Sequence, residues 1–403
     1  MILFLLIFGS FFRYLRIIPG FETINALPYY FILILIILIT FKIIRRNIIK
    51  KNTMYLMLAI TGIVITGFFY SFLYGLTSQL SYFSNIVSTL FIIYFIGVFD
   101  NAKTKYYTNS LKVFLLVSFI LTFLEFYFNN ILNTPLFNFS LYWDEVGVDG
   151  YHASRGNYLF LGNNLTRPWG ILAMPQASGA IFAVLFSYFI LILNENKWNA
   201  FYILISILGV YISASRTAML SVLFSLILII FYLPYVFKNQ KNRFLKKNMS
   251  RLLIISLFPL FSTFIIFGDW TFTFKTFNDS FFNSVLGFYF NPVNFIRVIF
   301  GTANSGFNNS EYGLINNIIS IGFLNLAFLI SFVLKLKQDY NIALDSKKLK
   351  VKNLKYLIPS LTFLFSGMHY NTFRYPANII FAIFVGLIVK NILEYKNINK
   401  SKK

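Results

Sequence analysis

Between Phe201 and Phe237 the chain runs for 37 residues with one formal charge, Arg216, inside the segment YISASRTAML. Lys197 precedes this run, and Lys238, Lys241, Arg243, Lys246 and Lys247 follow it. A helix that crosses a bilayer needs about 20 apolar residues, so the run holds two short spans. Basic flanks stay on the cytoplasmic side, so the pair goes out and comes back, with Arg216 near the outer turn. An arginine left in lipid is costly and belongs in a water-filled or protein-lined cavity. The plainer alternative is that Arg216 snorkels to the outer headgroups.

Apolar runs of spanning length recur from end to end, and 58% of the residues are hydrophobic. Twelve spans are expected, over 2–18, 27–44, 54–74, 83–99, 111–128, 171–193, 200–214, 217–237, 252–268, 313–334, 355–368 and 376–393. The expected fold class is therefore all-α, a polytopic integral membrane protein with residues 1–403 in one membrane domain. The absence of cysteine excludes disulfides, thiol catalysis and Cys-ligated metals. Two histidines, His152 and His369, are too few for a His-rich metal site. Neither a metal nor another cofactor is expected.

A net charge of +22 would suit a nucleic-acid binder if it formed one patch. Instead the basic residues sit in short clusters between apolar runs, as the positive-inside rule requires. Under the twelve-span threading 27 of the 35 basic residues are cytoplasmic, and both termini lie inside. The other eight are Arg13, Arg16, Arg155, Arg167, Arg216, Lys275, Arg297 and Arg374. Seven of those eight are arginine, whereas the cytoplasmic group has 23 lysines and four arginines. Arginine grips phosphate or carboxylate at two points and lysine at one, so the outer face has the composition of an anion site.

Two outer loops are long, 129–170 and 269–312, and both are rich in aromatic residues and asparagine. Loops of that length are usually functional or disordered. Aromatic faces, Asn and acidic groups together suit sugar binding, while single residues such as Trp143 or Trp270 fit an interfacial aromatic belt. No phosphate-cradling glycine loop, metal-ligand cluster or serine elbow is present. The candidates that remain are outer and charged. Arg167 opens RPWGILAMPQASG, and Arg155 stands twelve residues earlier, preceded by Asp144, Glu145 and Asp149 as alternative ion-pair partners. Glu311 opens EYGLINNIISIGF, where a carboxylate also serves as a plain helix cap. His369 lies near Arg374 in GMHYNTFRYP.

The segments SASRTA (Ser213 to Ala218), RPWGILAMPQASG (Arg167 to Gly179) and IFGTANSGFNNSEYGLINNIISIGF (Ile299 to Phe323) resemble those of Wzy-type polymerases. That family makes O-antigen and capsular polysaccharide, and the related O-antigen ligases share the layout. The resemblance implies a glycosyltransferase in the bacterial plasma membrane. Its substrates would be oligosaccharide repeat units on undecaprenyl pyrophosphate, joined at the outer face into O-antigen, capsule or exopolysaccharide. Membrane lipid would surround it, with a flippase and a chain-length regulator of the same pathway as further partners, and no nucleic acid. Arg216, Arg167 and Arg297 would stabilise charge on the leaving pyrophosphate, with Lys275 the rival to Arg297 in the second loop. Glu311 or His369 would take the proton of the attacking hydroxyl. Arg155, Lys275 and Arg374 would join Arg167 in holding substrate. In the ligases a His stands eleven residues before a helix Gly, and here Glu311 holds that distance from Gly322. This difference favours polymerase over ligase. A lipid-linked sugar flippase or transporter is the alternative from another class, but its path would carry cations deep in several helices.

Overall fold

The protein is described by a computed structural model over residues 53–75, 82–100, 102–132, 157–160, 163–166, 175–213, 215–237, 287–303, 313–342, 347–368 and 377–401. Single positions such as Leu6, Pro168 and Gly170 are described as well. Two compact units are built from interleaved segments. One takes 104–268 and 358–366 with the N-terminal 1–27; the other takes 28–103, 269–357 and 367–403.

In the first unit α3 (Thr104–Asn130) leads to a short hairpin, β1 (Asn157–Phe160) and β2 (Asn163–Thr166). The strands pair antiparallel, with Tyr158 opposite Leu165. Helices α4 (Pro175–Leu191), α5 (Asn199–Ser213) and α6 (Arg216–Phe237) follow. Helix α4 is the hub, packing on α3, α5 and α6. Its stretch from Ala180 to Ile190 is buried almost without interruption, which suits a helix that is apolar all round. Within the same unit Phe224 of α6 stacks on Phe365, 4.4 Å between ring centroids.

In the second unit α1 (Met54–Tyr74) precedes α2 (Ser88–Tyr94), which is flanked by π-helical turns at Phe83–Val87 and Phe95–Phe99. The short helices α7 (Gly287–Phe290) and α8 (Phe295–Phe300) come next. They are followed by α9 (Gly313–Ile321), α10 (Phe323–Ile342), α11 (Lys347–Ser366) and α12 (Ala377–Ser401). The last part of α11 belongs to the first unit. Helix α1 buries Leu56, Ile60, Ile63, Gly67 and Tyr70 at helical spacing, while Ile65, Phe68, Phe69 and Phe72 on its other side are exposed. A helix apolar on both its packed and its exposed faces is one made for lipid.

Among the described residues three helices are long and apolar enough to cross a membrane: Met54–Tyr74, Thr104–Asn130 and Ala377–Tyr395. A bent pair, Leu314–Ile321 with Phe323–Asn341, makes a fourth if it counts as one span. The segments expected at 83–99, 171–193 and 200–214 are also apolar helices, but shorter, and of the one expected at 217–237 the stretch Thr217–Phe231 is an apolar helix. Those expected at 2–18, 27–44 and 252–268 lie outside the described residues, apart from Leu6, Ile34 and Ile37, each helical.

One expectation needs correction. The run 313–334 is not one straight span: the chain turns by 107° at Gly322. A hydropathy window averages over a whole turn or more and does not register one residue with φ of +80°. The helical class holds, with one short hairpin, Asn157–Phe160 with Asn163–Thr166, among the described residues.

Candidate functional site

Ser118, Thr122 and Glu125 recur at helical spacing on the buried side of α3. Glu125 is 1% exposed, and a carboxylate buried in an apolar helix needs partners. The Gly170 N–H donates to its Oε2 at 2.9 Å. Gly170 has φ of +59°, and a Cβ there would fall 2.7 Å from both Thr122 Oγ1 and Ser178 Oγ. Strand β2 packs on α3 up to Thr166, and Pro168 is buried. The chain on both sides of position 167 is therefore fixed against the first unit's core.

The segment SASRTA forms the corner between α5 and α6. Ser213 ends α5, its hydroxyl donating to Val210 O at 2.8 Å. Ser215 is the N-cap of α6: its Oγ accepts the Ala218 N–H at 3.3 Å. Arg216 is the first helical residue. The corner sits on Gly179 of α4, where a Cβ would overlap Ser213 Oγ and fall 2.9 Å from Ser215 Cβ and Ala218 Cβ. Two segments that carry the family resemblance, RPWGILAMPQASG and SASRTA, thus meet backbone to side chain within one unit.

The third segment folds on itself in the other unit. Gly301, φ +98°, ends α8, and Gly322, φ +80°, ends α9. Each glycine faces the backbone of the other's helix end, so a Cβ at either would strike main-chain atoms. The last four carbonyls of a helix normally lack intrahelical donors; here all four are met. Ile318 O accepts from Gly322 N at 3.0 Å, Ile319 O from Thr302 N at 3.3 Å and Ser320 O from Ala303 N at 3.2 Å. Ile321 O accepts from Asn325 Nδ2 at 3.0 Å. At the end of α8 Thr66 Oγ1 lies 3.2 Å from Phe300 O, and Tyr70 OH donates to Gly301 O at 3.3 Å.

The Leu314 N–H donates to Gly367 O at 2.7 Å. Leu314 stands three residues after Glu311, and Gly367 two residues before His369. The described residues beside the two candidate bases are therefore bonded to each other. Nearby in the chain Asn378, fully buried at the start of α12, donates Nδ2 to Asn85 O at 2.7 Å, to Thr89 Oγ1 at 3.0 Å and to Ser88 Oγ at 3.1 Å. The π turn at 83–87 shifts the helix's bonding register, and the Asn85 carbonyl is the group that Asn378 takes up.

Of the expected site residues, Arg297 is fully described: it lies half-buried in the last turn of α8, its carbonyl accepting the Gly301 N–H at 2.8 Å. Arg216 is placed by its backbone alone. Arg155, Arg167, Lys275, Glu311, His369 and Arg374 lie outside the described residues. No protein-family model, curated protein or solved structure matches the chain. Sequence reasoning passed over Glu125 and Asn378. The signal for Glu125 was there, since an acidic residue inside an apolar span is by default a functional candidate. Asn378 had no comparable signal, because its partners are 289 to 293 residues away.

Proposed function

We propose that this chain is a polysaccharide polymerase of the bacterial plasma membrane, joining oligosaccharide repeat units carried on undecaprenyl pyrophosphate. In this reading it crosses the membrane twelve times with both termini inside, and the reaction takes place at the outer face. A hydroxyl of one unit attacks the anomeric carbon of the other chain, the glycosidic bond forms, and the lipid pyrophosphate leaves with the bonding electron pair. Arginines stabilise the growing negative charge. Glu311 or His369 accepts the hydroxyl proton.

One observation carries the reading. Among the described residues, the segments in which the chain resembles such polymerases form close joints: Gly179 against Ser213, Ser215 and Ala218, and Gly301 against Gly322. The test is reconstitution of the purified protein with a polyprenyl-pyrophosphate-linked oligosaccharide. A ladder of products, with free polyprenyl pyrophosphate released once per link, is the expected result. Transfer only to a different acceptor would make the chain a ligase. Movement of the lipid-linked sugar across the bilayer without bond formation would make it a flippase.

A further inference from the structure

Helix α1 has 21 residues. At 1.5 Å per residue that is about 31 Å, the thickness of a hydrocarbon core of about 30 Å. Tyr70 of this helix holds the end of α8 by donating to Gly301 O, and Thr66 Oγ1, whose nearer acceptor is Gly62 O at 2.9 Å, lies 3.2 Å from Phe300 O. Tyr70 stands four residues before the end of α1 at Tyr74, and Thr66 eight. The contacts therefore lie about 6 Å and about 12 Å inside that end of the helix. The residues around Tyr70 on α1 that face outward are Phe68, Phe69 and Phe72, the last 90% exposed.

The segment docked at this depth has the wrong surface for a loop in water. Phe290, Val293, Phe295 and Ile296 are between 66% and 86% exposed. Its polar side chains instead turn back on its own backbone. Asn291 Oδ1 accepts the Val293 N–H at 3.1 Å, and Asn294 Nδ2 donates to Phe288 O at 3.3 Å. Internal satisfaction of backbone groups is what hydrocarbon demands of any irregular segment. A second tether is the stacking of Tyr289 on Phe323, 5.4 Å between centroids.

We infer that residues 287–303 are not an aqueous loop but an element set into one leaflet, with acyl chains covering the face made by Phe290, Val293, Phe295 and Ile296. Lipid is the occupant because the segment is bonded to a candidate span below that span's end. Arg297, half-buried on the same short helix, is carried to this depth, where a cation needs an anion or water beside it. The inference rests on α1 crossing the membrane and not on the polymerase reading.

The chain contains no cysteine, so single labelling sites can be introduced without removing any. The full-length protein is reconstituted in liposomes with a nitroxide at Val293→Cys or Ile296→Cys. Phe72→Cys on α1 serves as lipid reference and Lys337→Cys on α10 as aqueous reference. The labels at 293 and 296 should be relaxed by oxygen like the Phe72 label and lose relaxation by a water-soluble nickel complex. Nickel relaxation equal to that at Lys337 would overturn the inference, as would a Phe72 label open to nickel. Labels that neither agent reaches would mean that protein, not lipid, covers the face. An Ile296→Trp variant quenched by brominated acyl chains gives the same reading without a label, and added fluorescence that those chains leave unquenched would count against it.

Discussion

The two units make their joints in different ways. In the first, whole helices meet through small residues and hydroxyls: Gly179 receives the serine corner, and Glu125, Thr122 and Ser178 receive Gly170. The second has such joints too, at Gly62 against Asn325 and Gly97 against Val389, but there the chain also breaks a helix and joins backbone to backbone, with Gly301 and Gly322 at positive φ. A side chain can rotate away from an intruding methyl group and a main chain cannot, so the second joint is the less tolerant of change. The candidate chemistry divides in parallel. The described residues beside Arg167 and Arg216 belong to the first unit; Arg297, and those beside Glu311 and His369, belong to the second. The described neighbours of the arginine positions lie on a helical bundle, and those of Glu311 lie beside a broken helix.

That contrast is most directly broken at Gly322. Gly322→Ala adds strain from a positive φ to a collision with the α8 backbone, and should cost more than about 3 kcal/mol. The yield of folded protein in membranes, and its thermal midpoint in detergent, report this loss. Gly179→Ala, where Ser213 Oγ is free to rotate, should cost about 1–3 kcal/mol. Equal losses at the two glycines would erase the distinction between the joints.

Next in size is the functional contrast. Arg216→Lys should leave the protein folded and lower polymerisation about a hundredfold, because one point charge replaces a two-point grip on pyrophosphate. Glu311→Gln should accumulate single repeat units at normal protein levels, since the amide cannot take a proton. If Arg216→Lys polymerises normally, the arginine only snorkels. If Glu311→Gln does, His369 becomes the base.

Smaller effects sharpen the description of the first unit. Glu125→Gln keeps an oxygen for the Gly170 N–H and should be nearly neutral in stability, whereas Glu125→Ala leaves that buried donor unmet and should cost about 1–3 kcal/mol. Thermal unfolding of the two variants in detergent decides it. The same loss in both would mean that the carboxylate charge, and not the hydrogen bond, is what α3 supplies. Asn378→Ala in the second unit should cost about 1 kcal/mol in the same assay. Thr89 Oγ1 also donates to the Asn85 carbonyl, so that group keeps a donor when Asn378 is gone.

The helices at 54–74, 199–213 and 216–237 could be read from the sequence almost to the residue, because an apolar run bounded by lysines or a turn contains its own instructions. The segments of the candidate site were legible too, but only as segments. That SASRTA caps α6 through Ser215 is local and follows from residue type. That the same corner rests on Gly179 is not local, and hydropathy carries no trace of it.

The sequence by itself determined that this is a helical protein with lipid-compatible spans, and that its arginines and lysines are sorted differently along the chain. The tertiary structure alone decided that 313–334 breaks at Gly322, that Glu125 takes the Gly170 N–H, and that Leu314 bonds to Gly367. The physical reason is range. Helix formation and partition into lipid depend on neighbours within about 20 residues. The partners that settle these joints stand 45 residues apart at Glu125 and Gly170, and 231 at Tyr70 and Gly301. A backbone group freed by a break finds its donor wherever packing brings one, and packing is a property of the folded chain.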